Sequence, residues 1–304
     1  MASLYFVQAL NGLQFGVLLF LLAAGLTLVF GIMNFVNLAH GALYMMGAYF
    51  ATVAAQATGS FVLGVCIGVP AAMLLGVLVD RIILTTLYQR DHLDQVLATF
   101  GLILFFNELV RIVWGPSPLN ANPPELLSGP IDIFGLSYPS YRLAIIGVGL
   151  SVAAGLYWLI NKTRVGMLIR AGATNPDIVA SLGVNIRGLN TLIFGLGAGL
   201  AGLAGAMAAP ILSVQPAMGD TVLILTLVVI IVGGIGSIRG AFFGALIVGI
   251  VETMGRTFLP IWMGAIFEPT IAQAAGPAIA SMLIYLLMAA VLAFKPQGLF
   301  PAGA

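Results

Sequence analysis

The sequence predicts an all-α fold, a polytopic membrane helix bundle of about nine transmembrane segments, with eight to ten as the range. Three observations predict it. Hydrophobic residues are 61% of the 304 and charged residues 7%, against about half and about a quarter in soluble domains. The apolar residues gather in runs close to the roughly 20 residues that cross a bilayer, and the mean hydropathy is +1.13. Glycine, at 38 residues, recurs inside those runs rather than in loops alone. A soluble chain of this length has no core large enough to hide so much apolar surface.

The same numbers exclude several classes. Net charge is +1 and no basic run carries interleaved aromatics, so nucleic acid is set aside as a partner. The single cysteine, Cys66, allows no internal disulfide and no thiolate metal cluster, and within its apolar run it reads as a small core residue. No Lys or Arg precedes Arg81, so the expectation is no cleavable signal peptide of the usual kind.

In order, the candidate segments are Gln8 to Gly31, Leu38 to Thr58, Phe61 to Leu84, Val96 to Trp114, Arg142 to Ile160, Leu189 to Leu212, Thr221 to Gly234, Ala241 to Met254 and Pro277 to Phe294. The seventh and eighth are short and separated by Gly233 to Gly240, so they read either as two crossings or as one broken, partly re-entrant element. Orientation follows from the basic residues. With the 162–188 loop cytoplasmic, that side holds Arg81, Arg90, Lys162, Arg164, Arg170, Arg187, Arg239 and Lys295, and the outer side Arg111, Arg142 and Arg256. The bias places the N-terminus outside, the C-terminus in the cytoplasm and the Pro-rich 115–141 loop outside, where extended structure and turns are expected. Domain organisation is then one transmembrane domain over 1–304 with these two loops.

Small residues recur at spacings of three and four from Gly195 to Gly205 and again at Gly240 and Gly244. Lipid supplies no hydrophobic drive between helices, so close packing needs such faces. The sixth and eighth segments are therefore expected inside the bundle. His40-Gly41-Ala42 with Gly47-Ala48 echoes Arg239-Gly240-Ala241 with Gly244-Ala245, which suggests an internal repeat of the kind transporters carry.

Polar residues are scarce where the chain crosses lipid, and there they read as functional by default. Asn34, Asn37 and His40 stand at i, i+3 and i+6, bracketed by Gly31 and Gly41, between the first two runs. Helical, they line one side; unwound, they add backbone dipoles. They are the candidate polar patch on a translocation path, although an ordinary loop reads equally well, and His40 alone suits a satisfied interfacial histidine better than a proton carrier. Glu108 with Arg111 and Glu252 with Arg256 are spaced to pair on a helix, and read as end-anchoring pairs beside Asn107. Asp220 and Glu268 are placed in external loops.

The strongest basic stretch is Lys162 to Gly188. Within it Asn175 suits an N-cap, Pro176 the first helical position, Asp177 the first turn, and Gly183 the stop. The Pro176 to Leu182 helix is too short to stand alone in water. It must dock, through a face shared by Ile178, Val179 and Leu182: either on the protein's own helix ends or on a partner protein. Nothing supplies chemistry. There is no phosphate loop, no metal-ligand spacing and no nucleophile-base-acid set. The chain is expected to be no enzyme, to bind no cofactor or metal, and to take energy for any uphill transport from another subunit.

NFVNLAHGALYMMGAY, TRVGMLIRAGATNPDIVASLGVNIRG, AGLAGAMAAP, VVIIVGGIGSIRGAFFGALIVG and FKPQGLF, in this order, resemble the LivH-type permease of branched-chain amino acid ABC importers over nearly the whole chain. Importers of this broad class carry a cytoplasmic E-A-A loop with a following glycine. Here Asp177 and Gly183 keep the acid-to-glycine spacing, whereas Ile178 and Val179 replace the alanines. The resemblance implies a multi-pass protein of the bacterial inner membrane that pairs with a LivM-like permease as a heterodimer. It further implies two ATP-binding cassette subunits that hold the ATP, and a periplasmic solute-binding protein. The implied cargo is branched-chain or other hydrophobic amino acids, with urea, short amides or another small organic solute as the alternative. A stand-alone channel or ion-coupled carrier fits less well, since buried acids are few.

Overall fold

The computed structural model describes residues 2–88, 90–133 and 135–300. The chain runs α1 (Ala2–Met33), α2 (His40–Thr58), α3 (Phe61–Ile82), α4 (His92–Trp114), β1 (Pro130–Ile133), β2 (Leu136–Pro139), α5 (Ser140–Lys162), α6 (Arg164–Thr174), α7 (Pro176–Ser181), α8 (Ile186–Ala208), α9 (Met218–Gly233), α10 (Ile238–Met263) and α11 (Pro269–Phe294). Among the described residues, seven helices have the length and apolarity to cross a membrane: α1, α3 to α5, α8, α10 and α11. Two of the nine predicted segments fall outside that set. Helix α9 has only 16 residues; α2 has 19 and is less apolar, because His, Tyr, Thr and Gln interrupt it. The seventh and eighth predicted segments are two separate helices, α9 and α10, parted by residues 234–237.

The chain divides into two compact units, Met1–Ala23 with Glu125–Leu150 and Thr226–Ala304, and Ala24–Pro124 with Ser151–Leu225. In the second unit α2, α3 and α8 pack against one another, and the contacts are made by the smallest residues. Gly47 lies on Gly202, Gly76 on Ala198 and Gly205 on the Tyr44 carbonyl; a Cβ at Gly68 would come within 2.5 Å of the Ala51 nitrogen. Backbones this close gain dispersion that bulkier side chains would forbid. Helix α8 is mostly buried, as its glycine spacing predicts. Cys66 corrects the sequence reading: it is exposed on α3, not in the core. In the same unit Trp114 of α4 closes over Tyr49, ring centroids 5.0 Å apart.

In the first unit α10 packs on α11, and the first part of α1 meets α10 through small residues. A Cβ at Gly16 would sit 2.8 Å from the Ala245 carbonyl oxygen. Helix α10 buries its small residues Gly240, Ala241, Gly244 and Ala245 and leaves Arg239, Phe243 and Ile250 exposed. The Pro-rich 115–141 stretch contains the antiparallel hairpin β1–β2, in register from Pro130↔Pro139 to Ile133↔Leu136. Tyr138 Oη donates to Asn11 Oδ1 at 3.1 Å. Burial pushes the Tyr138 phenol up, against a smaller downward pull from Arg142, so it stays protonated to donate. The FKPQGLF tail turns at Gly298 (φ +82), and the amides of Leu299 and Phe300 donate to the Val232 and Gly233 carbonyls, both at 2.9 Å. Those carbonyls end α9 and would otherwise lack intrahelical partners.

Candidate functional site

Two places carry the polar chemistry of the second unit. The first is the connector between α1 and α2. Residues 34–37 are non-helical, so the unwound alternative holds: Asn34, at φ +47, turns the chain out of α1. Asn37 is 1% exposed, and neither its Oδ1 nor its Nδ2 has a partner. His40 is fully buried as the first residue of α2, and Gly41 is buried beside it. A Cβ on Gly25 of α1 would lie 2.9 Å from His40 Nε2 and 2.6 Å from the Gly197 carbonyl of α8. One at Gly41 would lie 2.6 Å from the Gly219 carbonyl of α9 and 3.0 Å from Leu223 Cβ. Four elements thus converge here through glycine.

Asp220 belongs to this convergence, which corrects its placement in a loop. It lies in the first turn of α9, half-buried, and accepts a hydrogen bond from Asn107 Nδ2 of α4 at 3.3 Å. Asn107 Oδ1 is buried without a partner. Glu268 stands exposed just before α11, outside any helix. The two expected pairs form: Arg111 with Glu108 at 3.1 Å, both exposed, and Arg256 with Glu252, where Arg256 also reaches Ser281 at 3.2 Å.

The second place is the 162–188 loop. Thr163 caps α6 by accepting from the Gly166 amide at 3.1 Å. Asn175 Oδ1 accepts from the Ile178 amide at 3.1 Å, with Pro176 and Asp177 in the first turn, and α7 ends at Ser181. Leu182 is the C-cap, so the helix stops one residue short of its predicted end, and Gly183 follows at φ +86. This is the left-handed conformation that costs other residues steric strain. The three apolar residues do not share one fate. Val179 is 6% exposed, whereas Ile178 is 59% and Leu182 78% exposed. Helix α7 rests on α6 and α8 through Val179's side and leaves the other two residues uncovered.

One further residue escaped the sequence reading. Asp80, at the end of α3, is fully buried; it accepts from Thr191 Oγ1 of α8 at 2.7 Å and from the Tyr88 hydroxyl. It ties together three segments next to the basic loop. No motif or spacing in the sequence marks it, because its partners Tyr88 and Thr191 lie on other segments.

Comparison with known proteins places this architecture. The chain is 28% identical to the high-affinity branched-chain amino acid transport system permease protein BraD of Pseudomonas aeruginosa, over 97% of this chain and 95% of that one. It is 29% identical to the corresponding permease protein LivH of Escherichia coli K12, over 84% and 88%. It is also 26% identical to the ribose import permease protein RbsC of Escherichia coli K12, over 76% and 72%. A family model covers residues 8–292, nearly all of the membrane-embedded helices just described. The chain therefore belongs to the family of branched-chain amino acid transport system permease components.

Proposed function

We propose that the chain is one permease subunit of an ATP-binding cassette importer for branched-chain or other hydrophobic amino acids, embedded in the bacterial inner membrane. It forms half of the translocation path, with a LivM-like permease as the other half. Two cassette subunits bind and hydrolyse the ATP, and a periplasmic protein delivers the solute. The chain itself holds no cofactor. Orientation follows the basic residues, with 162–188 and the C-terminus cytoplasmic and the N-terminus and 115–141 outside.

One observation carries this function: Ile178 and Leu182 stand uncovered on a six-residue helix whose ends are fixed by Asn175 and Gly183, within the most basic loop. A helix this short gains its stability from packing, and uncovered apolar residues on a cytosolic loop mark a protein contact. Cassette closure then moves α7, and its contacts on α6 and α8 carry the shift toward the small-residue helix contacts around Asn34, Asn37, His40 and Gly41. The names of BraD and LivH support amino-acid cargo; the likeness to RbsC supports a second reading with the same architecture and a different small solute. The test is reconstitution of the full complex with its binding protein in proteoliposomes containing ATP. Uptake of radiolabelled L-leucine that stops without ATP is the expected result. ATP-driven uptake of ribose, urea or a short amide, with none of leucine, refutes the amino-acid cargo.

A further inference from the structure

We infer that the face of α11 carrying Ala274, Ala278, Ser281 and Tyr285, with Arg256 of α10 beside it, is the seam against the second permease subunit, whose facing helix brings hydrogen-bond acceptors to Arg256 and a donor to Glu252. The inference rests on the importer reading above and names where its two permeases meet.

Depth comes first. The Glu252–Arg256 pair does not anchor a helix end, as its spacing suggested, because α10 runs on to Met263 and Glu252 falls within two residues of its middle. Arg256 lies one turn further on, and its side chain turns back: Nε donates to Glu252 Oε1, and Nη2 donates at 3.2 Å to Ser281 Oγ, at the middle of α11. Each helix has 26 residues, about 39 Å at 1.5 Å per residue, against about 30 Å of hydrocarbon. The guanidinium is therefore held near mid-membrane. It does not snorkel toward Trp262, the exposed aromatic at the outer end of α10.

The surroundings of the pair are incomplete. The Glu252 side chain is 6% exposed, yet its Oε2 is buried without a partner. The Arg256 side chain is 57% exposed, and among the described residues it uses two of its five N–H donors. A buried carboxylate oxygen without a donor costs free energy, and so does a guanidinium against lipid tails; charges at such depth face protein or a water-filled cavity. Neither a cytosolic cassette nor a periplasmic binding protein reaches mid-membrane. Of the importer's partners only the second permease does.

Packing within the unit shows which side of α11 stays open. A Cβ at Gly276 would lie 2.6 Å from Pro260 Cγ, and one at Gly255 3.3 Å from Ala280 Cβ, so α10 already occupies the side of α11 that bears Gly276 and Ala280. Ala274, Ala278 and Tyr285 stand seven, three and four residues from Ser281, on its face, and all three are exposed. Two alanines four residues apart let another helix approach closely, which brings its short polar side chains within reach of Arg256.

The test uses the complete complex in its membrane. Photoreactive p-benzoyl-phenylalanine replaces Tyr285 or, as the control, Leu286, which is 60% exposed at nearly the same depth and about 100° further round the helix. On irradiation the probe at 285 should give at least fivefold more adduct with the second permease than the probe at 286. In a second arm Glu252→Leu with Arg256→Met exchanges the pair for apolar residues, a change that buried pairs often tolerate within their own chain. It should leave the amount of this chain in the membrane unchanged, while the second permease recovered with it falls at least fivefold. Glu108→Gln with Arg111→Gln, at an exposed pair, should change neither. Equal or reversed adduct yields, adducts of the probe at 285 with lipid or a second copy of this chain alone, or full recovery of the second permease with the apolar variant overturn the seam. If the apolar variant is lost from the membrane, the two adduct yields decide. A second permease that co-purifies but crosslinks elsewhere removes only this face; a transporting complex without a second permease removes the architecture beneath it.

Discussion

Replacing Ile178 and Leu182 together by alanine tests the cassette contact most directly. Complete burial of an aliphatic side chain of this size is worth about 1.5–3 kcal/mol. Ile178 and Leu182 retain 59% and 78% of their exposure, so a partner that covers both gains roughly 2–4 kcal/mol, scaling each side chain by its exposed share. Truncation to alanine forfeits up to that amount, an affinity loss of about 30- to 1000-fold at the upper bound. The chain's own stability should hardly change, because both side chains leave little behind. Val179→Ala is the contrast: this side chain is already 6% exposed, so its loss acts on the α6–α7–α8 packing. Binding of purified cassette subunits to detergent-solubilised permease, read by an optical biosensor, measures the first effect; thermal unfolding of the permease measures the second. Cassette affinity within threefold of the unmodified protein for the double alanine variant would refute the docking role of α7.

Three further outcomes follow from other positions. Gly183→Val should leave cassette ATP hydrolysis running while leucine uptake falls, since φ +86 costs a β-branched residue about 1–3 kcal/mol and no neighbour obstructs its Cβ; retained coupling in proteoliposomes counts against it. Asp80→Ala strips the acceptor from the Thr191 and Tyr88 hydroxyls and should destabilise the protein by about 1–3 kcal/mol, seen as a lower Tm than that of Asp80→Asn. Glu108→Gln breaks an exposed ion pair worth at most about 1 kcal/mol, so neither Tm nor uptake should move beyond error.

The ends of α7 were legible because their causes are local. An asparagine, a proline and a glycine satisfy or terminate backbone hydrogen bonding within a few residues of themselves. The burial of α8 was legible for a similar reason, since its glycine spacing is a property of one helix. What escaped depends on partners far along the chain. Asp220 meets Asn107, 113 residues away, and an apolar window that opens after it leaves the acid looking solvated. Asp80 likewise meets Thr191 at a separation of 111. Cys66 was misplaced because in lipid both faces of a helix are apolar, so side-chain polarity does not mark which one is packed.

Cys66 has a practical corollary. It is the single thiol in the chain, and its side chain lies outside the helix contacts of α3. A maleimide spin label or fluorophore attached there would ride on the native scaffold without any cysteine having to be removed or introduced. Its accessibility to oxygen and to polar relaxation agents would read out how far α3 is immersed in the bilayer.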